Sequence, residues 1–374
     1  MPLFVSKRLK SYIPCDFQFV INNLCLLMKK VLLDLSVLKH INCGLGQVAY
    51  NYGVYFSNYT FDDLEITLLL PKKYFGAFGS NVKYLESKEI YTIFPCLIPQ
   101  FDVWHSIHQL SRFSPSRKAT KNILTIHDLN FLYEKEADKI EKYRKKIAKK
   151  IDRADFITVI SNFVKNDVCK NFEIKKSIEV IYNGVEFLTS DGEQKPKSVN
   201  DSTPFIFSIG QMFPKKNFHV LLDAMKLLPQ FNLYLVGKKT TEYGQMIENR
   251  IKGENIKNVF LLGEIEHIEK IWMYNHCEAF VFPSLFEGFG LPIIEAMFFR
   301  KPVISSDKTS LREIGADQVE FLDDFSPDEI AKKILLAIEK AKKFPETLDM
   351  KFRYASSFSY QKHFEEYLKL YRTI

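Results

Sequence analysis

Two carboxylates with seven residues between them, Glu287 and Glu295, bracket glycines and apolar residues in VFPSLFEGFGLPIIEAM, residues 281–297. Gly288 and Gly290 let a ligand approach the backbone, and a helix opened by Pro292, with Glu295 on its first turn, presents unpaired N–H groups at its start. Such a loop suits a polar ligand; a plain strand-to-helix connection with Glu295 answering only the helix dipole is the alternative. A second group follows Gly210: Lys215, Lys216 and Asn217, ahead of a helix expected over 218–228. Asn217 is a favoured N-cap, and two lysines oppose the dipole of a helix start unless an anion such as a diphosphate bridges them. Solvated lysines are the alternative there. A third, His127-Asp128, directly follows an apolar strand over 122–126. Beyond the carboxyl end of a parallel strand a His faces a ligand site, or else satisfies only local backbone groups.

The segment EGFGLPIIEAM resembles the signature of the retaining glycosyltransferases of family 4, which have the GT-B fold: two Rossmann-like doubly wound α/β domains facing a central cleft. The resemblance implies that Glu287 lies beside the transferred sugar and that Glu295 hydrogen-bonds the donor ribose. The backbone of Gly288, Phe289, Gly290 and Leu291 would approach sugar and phosphate. It also implies a diphosphate site at Gly210, Lys215 and Lys216, with Gln211 standing where many members carry Arg. Glu264 and Ile265 would meet the nucleobase, and His127 the transferred sugar. VISNFVKNDV and IYNGV also resemble family chains, so the likeness covers about residues 29–374.

These residues need strands and helices to hold them. Apolar strands are expected over 31–37, 64–70, 122–126, 156–160, 178–182, 205–209, 233–236, 259–262 and 302–306, alternating with helical stretches, which is the pattern of parallel sheets. Beyond the first strand lies GLGQVA, residues 44–49, with dinucleotide-fingerprint spacing. Its first glycine comes too late after the strand for that fingerprint, because Leu38 to Cys43 intervene. By resemblance, Gly44 and Gly46 instead belong to a glycine loop at the cleft between donor and acceptor.

The organisation expected is an extension over 1–27, an acceptor-side domain over 28–186 and a polar linker over 187–203. A nucleotide-sugar-binding domain over 204–355 and a closing helix over 356–374 that crosses back to the first domain complete it. Residues 1–27 have a basic start and an apolar patch, but no cleavage pattern and too little length to span a bilayer.

The 374 residues are 46% hydrophobic and 26% charged, with a net charge of +7, an ordinary globular composition that does not announce nucleic acid. Six scattered cysteines indicate neither a disulfide framework nor zinc, so the chain reads as cytosolic. A basic amphipathic helix expected over 135–153 packs on its own sheet with a solvated lysine face, or lies against anionic lipid.

The function expected is retaining transfer of a sugar from a nucleotide-diphosphate sugar to a saccharide or polyprenyl-diphosphate-linked acceptor, in O-antigen, capsule or other surface-polysaccharide synthesis. No metal is expected, since the Asp-X-Asp motif of the other main glycosyltransferase fold is missing from the sequence. A non-catalytic sugar-nucleotide-binding partner and an NAD-dependent oxidoreductase are the competing readings.

Overall fold

The alternation of apolar strand and amphipathic helix becomes two parallel sheets in the computed structural model, which describes residues 28–41, 44–115, 120–185 and 192–374. The expected extension over 1–27 and the start of the expected linker lie outside the described residues. The first sheet contains β1 (Lys29–Asp34), β2 (Leu64–Leu70), β3 (Lys83–Glu86), β4 (Val103–Ser106), β5 (Lys121–Ile126), β6 (Phe156–Val159) and β7 (Ile178–Val180), in the order β3-β2-β1-β4-β5-β6-β7. The second contains β8 (Phe205–Ile209), β9 (Asn232–Val236), β10 (Val259–Gly263), β11 (Ala279–Phe282), β12 (Val303–Ser306) and β13 (Glu320–Leu322), in the order β10-β9-β8-β11-β12-β13. Both orders reverse direction beside their first strand, at β1/β4 and at β8/β11. In such doubly wound sheets that reversal opens a crevice at the carboxyl ends of the strands.

By packing, the chain divides into two units. One holds the described residues up to Leu124 with Arg153–Asp155 and Tyr371–Ile374; the other holds Thr125–Asp152 and Phe156–Leu370. In the first unit, β1 is apolar and fully buried from Val31 to Leu33, as a strand covered on both faces must be. Lys29 donates to the main-chain oxygens of Tyr371, Arg372 and Ile374 at 3.1, 3.1 and 2.7 Å, a cation against the exposed carbonyls of a helix end. In the second unit, a continuous apolar cluster runs from Ile206 and Leu235 through Val281 and Ile304 to Ile334.

Three expectations are corrected. Gly44 and Gly46 belong not to a loop but to the Gly44–Ser57 helix, and a Cβ on Gly46 would lie 2.3 Å from the His40 carbonyl oxygen. Asn217 is not the N-cap of the following helix. It closes a 3₁₀ turn, Pro214–Lys216, in the left-handed conformation at φ 56°, which Asn tolerates, and the helix runs over His219–Lys226 after Phe218. Glu295 sits on the second turn of its helix, because that helix already begins at Leu291.

The closing helix, Tyr360–Thr373, is pinned by polar contacts inside the second unit. The Tyr367 hydroxyl lies 3.0 Å from that of Thr125 and 3.1 Å from that of Thr158. His363 is buried, and its Nδ1–H donates to the Tyr182 carbonyl at 2.6 Å. Burial depresses the His363 pKa to about 4. The unfolded ring titrates near 6.5, so its contribution is complete above that value and is lost as the pH falls from about 6.5 to about 4, by about 3 kcal/mol in all. His363→Gln is expected to flatten the fall of the melting temperature over that window while lowering it modestly at neutral pH; an unchanged slope would contradict the assignment.

Candidate active site

The reversal at β8/β11 is where the site residues converge. Gly210 follows β8, and the chain returns through the Pro214–Lys216 turn. β11 ends in Pro283 and the fully buried Ser284, and its loop carries Glu287 into the Leu291–Phe298 helix. Lys216 Nζ meets Glu287 Oε1 at 2.5 Å, with the two side chains only 12% and 15% exposed. Ser284 Oγ donates to the same carboxylate oxygen at 2.7 Å, and the ammonium sits 4.9 Å from the centre of the Phe282 ring. Attraction at this separation is several kcal/mol at an effective dielectric constant of about 20, and desolvation of both ions offsets much of it.

The Glu287 loop is held from several sides. Its own N–H donates to Thr309 Oγ1 at 3.0 Å, and Ser310 Oγ lies 2.9 Å from the carbonyl oxygens of both Glu287 and Phe289, which share its one hydrogen. Ser161, at the end of β6, donates to the Gly288 carbonyl at 2.8 Å. A Cβ on Gly288 would lie 2.3 Å from the His127 carbonyl oxygen, so only glycine fits where the loop passes the end of β5. His127, directly after that strand and buried, is thereby brought beside Glu287's neighbour.

Lys215 pairs at 2.8 Å with Glu134, from the short Phe131–Glu134 helix, and its carbonyl accepts the Leu285 N–H at 2.7 Å. Burial pushes the Asp128 carboxyl up, against the pull of the Lys215 charge. On the far side of the loop, Glu295 accepts from Lys270 at 2.9 Å and from the buried Tyr274 hydroxyl at 2.8 Å. Burial, with the Glu295 charge added, drives the Tyr274 phenol well above its ordinary pKa, so it stays a donor.

Close main-chain packing shapes the floor. Gly237, after β9, has φ 152°, and a Cβ there would fall 1.9 Å from the Gly210 carbonyl oxygen. Its N–H donates to the Gly263 carbonyl at 2.8 Å, which links the Gly210 turn to the start of the Glu264-Ile265 segment. Glu264 is exposed and Ile265 half-buried, and Gln211 is exposed. Gly290 adopts φ 110° ahead of its helix. The structure therefore gathers Gly210, Lys215, Lys216, Glu287, Gly288, Phe289, Gly290 and His127 around one loop. Glu295 and Leu291 lie on the adjoining helix, and Gly44 and Gly46 belong to the other unit.

Sequence reasoning missed Ser284, Glu134, Lys270, Tyr274, Thr309 and Ser310. Lys270 and Tyr274 were legible as a same-face i, i+4 pair on the His267–His276 helix. Glu134 carries no local signal.

Residues 190–356 match the family Glycosyl transferases group 1, and residues 80–187 match Glycosyltransferase Family 4. With two parallel α/β sheets beneath those matches, the chain has the GT-B fold and over residues 190–356 is similar to the group 1 glycosyltransferases. It is similar to the O-antigen chain mannosyltransferase RfbU of Salmonella typhimurium, 27% identical over 241 residues, which make up 63% of this chain and 65% of that protein. O-antigen chain mannosyltransferase B of Escherichia coli is 26% identical over 252 residues, 62% of this chain and 65% of that protein. The chain thus spans just under two thirds of the length of these curated relatives. Anabaena Alr3699/HepE, solved in complex with UDP and glucose, has the same fold at 17% identity, with a TM-score of 0.70 over 93% of this chain and 100% of that one.

Two outcomes test the geometry. Lys216→Met strands the Glu287 carboxylate among buried neighbours and is expected to cost about 2–4 kcal/mol in chemical denaturation, of which the double variant with Glu287→Gln recovers a large part. Gly288→Ala is expected to lower the melting temperature through its clash with the His127 carbonyl, and an unchanged melting curve would show that the two segments can separate freely.

Proposed function

We propose that the protein transfers a hexose, with mannose the first candidate, from a nucleotide-diphosphate sugar to a saccharide or lipid-linked saccharide acceptor, retaining the anomeric configuration. The observation that carries this reading is the Lys216–Glu287 pair at the β8/β11 reversal, where a cation and a carboxylate stand 2.5 Å apart at the crevice of a doubly wound sheet. The mannosyltransferases it resembles supply the choice of sugar and the setting in O-antigen synthesis.

Breaking the bond between the anomeric carbon and the diphosphate oxygen leaves negative charge on the departing group and positive charge on the sugar ring. Lys216 and Lys215 would receive the first, together with main-chain N–H groups at the start of the Leu291–Phe298 helix. We assign this charge to the two lysines rather than to a metal. Glu287 would stand against the second as an electrostatic and positioning group, and the acceptor hydroxyl oxygen would take the sugar while its proton passes to the departing diphosphate oxygen. His127 would contact the sugar, and Glu295, oriented by Lys270 and Tyr274, the donor ribose. Glu264 and Ile265 would offer main-chain groups to the base. The domains 28–186 and 204–355 would serve acceptor and donor respectively.

A panel of UDP-, GDP-, ADP- and dTDP-linked sugars, mannose donors included, tests this by thermal shift and nucleotide release. One base class should raise the melting temperature. Glu287→Ala should abolish transfer while largely keeping nucleotide affinity, and Lys216→Ala should weaken both. Normal turnover in either variant defeats the assignment, and stabilisation by NAD with no response to any nucleotide sugar defeats the function.

A further inference from the structure

Large apolar side chains are ordinarily buried, and several adjoining exposed ones mark an interaction surface. Ile90 and Ile93 on the short Ile90–Ile93 helix, Phe94 where that helix breaks at φ −119°, and Leu97 in the following Pro95–Leu97 turn form an apolar stripe along the chain, and are 41%, 69%, 51% and 58% exposed. The opposite side supplies the packing: Ile98 is buried with Leu69 and Trp104, and Tyr91 packs against them. The stripe is therefore held outward by a firm core beneath it.

Charge adjoins it. β2 and β3 are parallel neighbours with Leu70 opposite Glu86, and Ser87 N–H donates to the Leu70 carbonyl at 2.9 Å, so their following segments leave the same end of the sheet side by side. After β2 come exposed Lys72 and Lys73 and then Phe75, 43% exposed. After β3 come Lys88 and the apolar stripe. Lys88 pairs with Glu86 at 3.7 Å and Arg112 with Glu89 at 2.6 Å, so Lys72 and Lys73 are the local excess of charge.

We propose that this surface, from Lys72 to Leu97, docks the protein on an anionic lipid bilayer. Phe94, Ile93 and Leu97 enter the interfacial layer while Lys72 and Lys73 meet the headgroups. A second copy is the poorer occupant, because a two-fold contact on this patch sets its excess lysines against one another. The basic Ala137–Arg153 helix is the weaker lipid candidate. Its Ile147 and Ile151 are buried, and Lys145 pairs with Glu141 at 3.3 Å, so it offers lysines without an outward apolar face. The proposal stands on exposure and charge alone, independent of the transferase reading.

Vesicle flotation of the full chain tests it, using phosphatidylcholine alone or with roughly one third phosphatidylglycerol. The wild type should float with the anionic vesicles and about tenfold less with the neutral ones. The I93S/F94S/L97S and K72E/K73E variants should each lose about tenfold on anionic vesicles, whereas K145E/K149E keeps binding. All these positions are exposed, and unchanged circular dichroism and melting would show that the variants fold. Phe94→Trp gives a second readout, with a blue shift of its fluorescence expected on adding anionic vesicles. Absence of wild-type flotation, wild-type flotation by the apolar variant, no fluorescence shift, or a dimer in sedimentation that F94S splits would each overturn the proposal.

Discussion

The contact between Lys216 and Glu287 ties together the two strand ends on which the site depends. β8 and β11 are neighbours in the second sheet, yet their outgoing segments diverge, one into the Pro214–Lys216 turn and the other into the glycine loop. One ion pair at 2.5 Å, with Ser284 as second donor to the same oxygen, rejoins them just beyond the sheet. A half-buried carboxylate there without a cation would be costly, and so would the ammonium alone. The two charges therefore require each other in the ligand-free protein, and together they fix where the loop between β11 and its helix runs.

Main-chain proximity is the second constraint, and it explains the glycines better than flexibility does. Gly237 lets the end of β9 touch the Gly210 carbonyl, and Gly288 lets the loop graze the His127 carbonyl. Ser161 and Ser310 then fasten the carbonyls that those approaches bring near. Glu313 extends the same device. Its carboxylate accepts the N–H groups of Asn162 and Phe163 at 2.8 and 2.9 Å, at the start of the Asn162–Asn171 helix, and the Tyr182 hydroxyl at 2.8 Å. A negative group at a helix amino terminus is favourable, and here it comes from a distant segment. Burial and the Glu313 hydrogen bond push the Tyr182 phenol up to about 12, so it remains a donor to that carboxylate.

Much of this was legible because it follows from local periodicity. β2 and β8 occupy the residues expected of them, since apolar runs and turn residues bound each one. His127 and Glu287 could be found because chemistry-bearing residues at strand ends stand out against apolar strands. The errors came where local preference met tertiary demand. Asn217 has the composition of an N-cap, but the preceding turn needs a left-handed residue, and Asn serves that need equally well. GLGQVA reads as loop by its glycines, yet Gly46 is there because the helix packs on the His40 carbonyl. Partners such as Glu134 for Lys215 lie too far along the chain for spacing to reveal.

The ion pair also bears on how an anionic donor would be received. An ammonium has three N–H donors, and Glu287 takes one. A diphosphate arriving at Lys216 can use the others, and whatever it draws away from Glu287 leaves that carboxylate still bonded to Ser284. On the proposed reading, the resting pair keeps both groups neutralised and in place until the donor supplies the charge that separates their tasks. Lys216 then turns to the phosphate, and Glu287 is released toward the electron-poor sugar carbon. Lys215 follows the same logic with a looser partner, since Glu134 is 37% exposed and gives up its pairing at less cost than a buried carboxylate would. Two lysines with carboxylate partners of unequal burial thus differ in readiness. On the proposed reading the more exposed pair would open to a diphosphate first, and the more enclosed pair would separate only for an anion already placed.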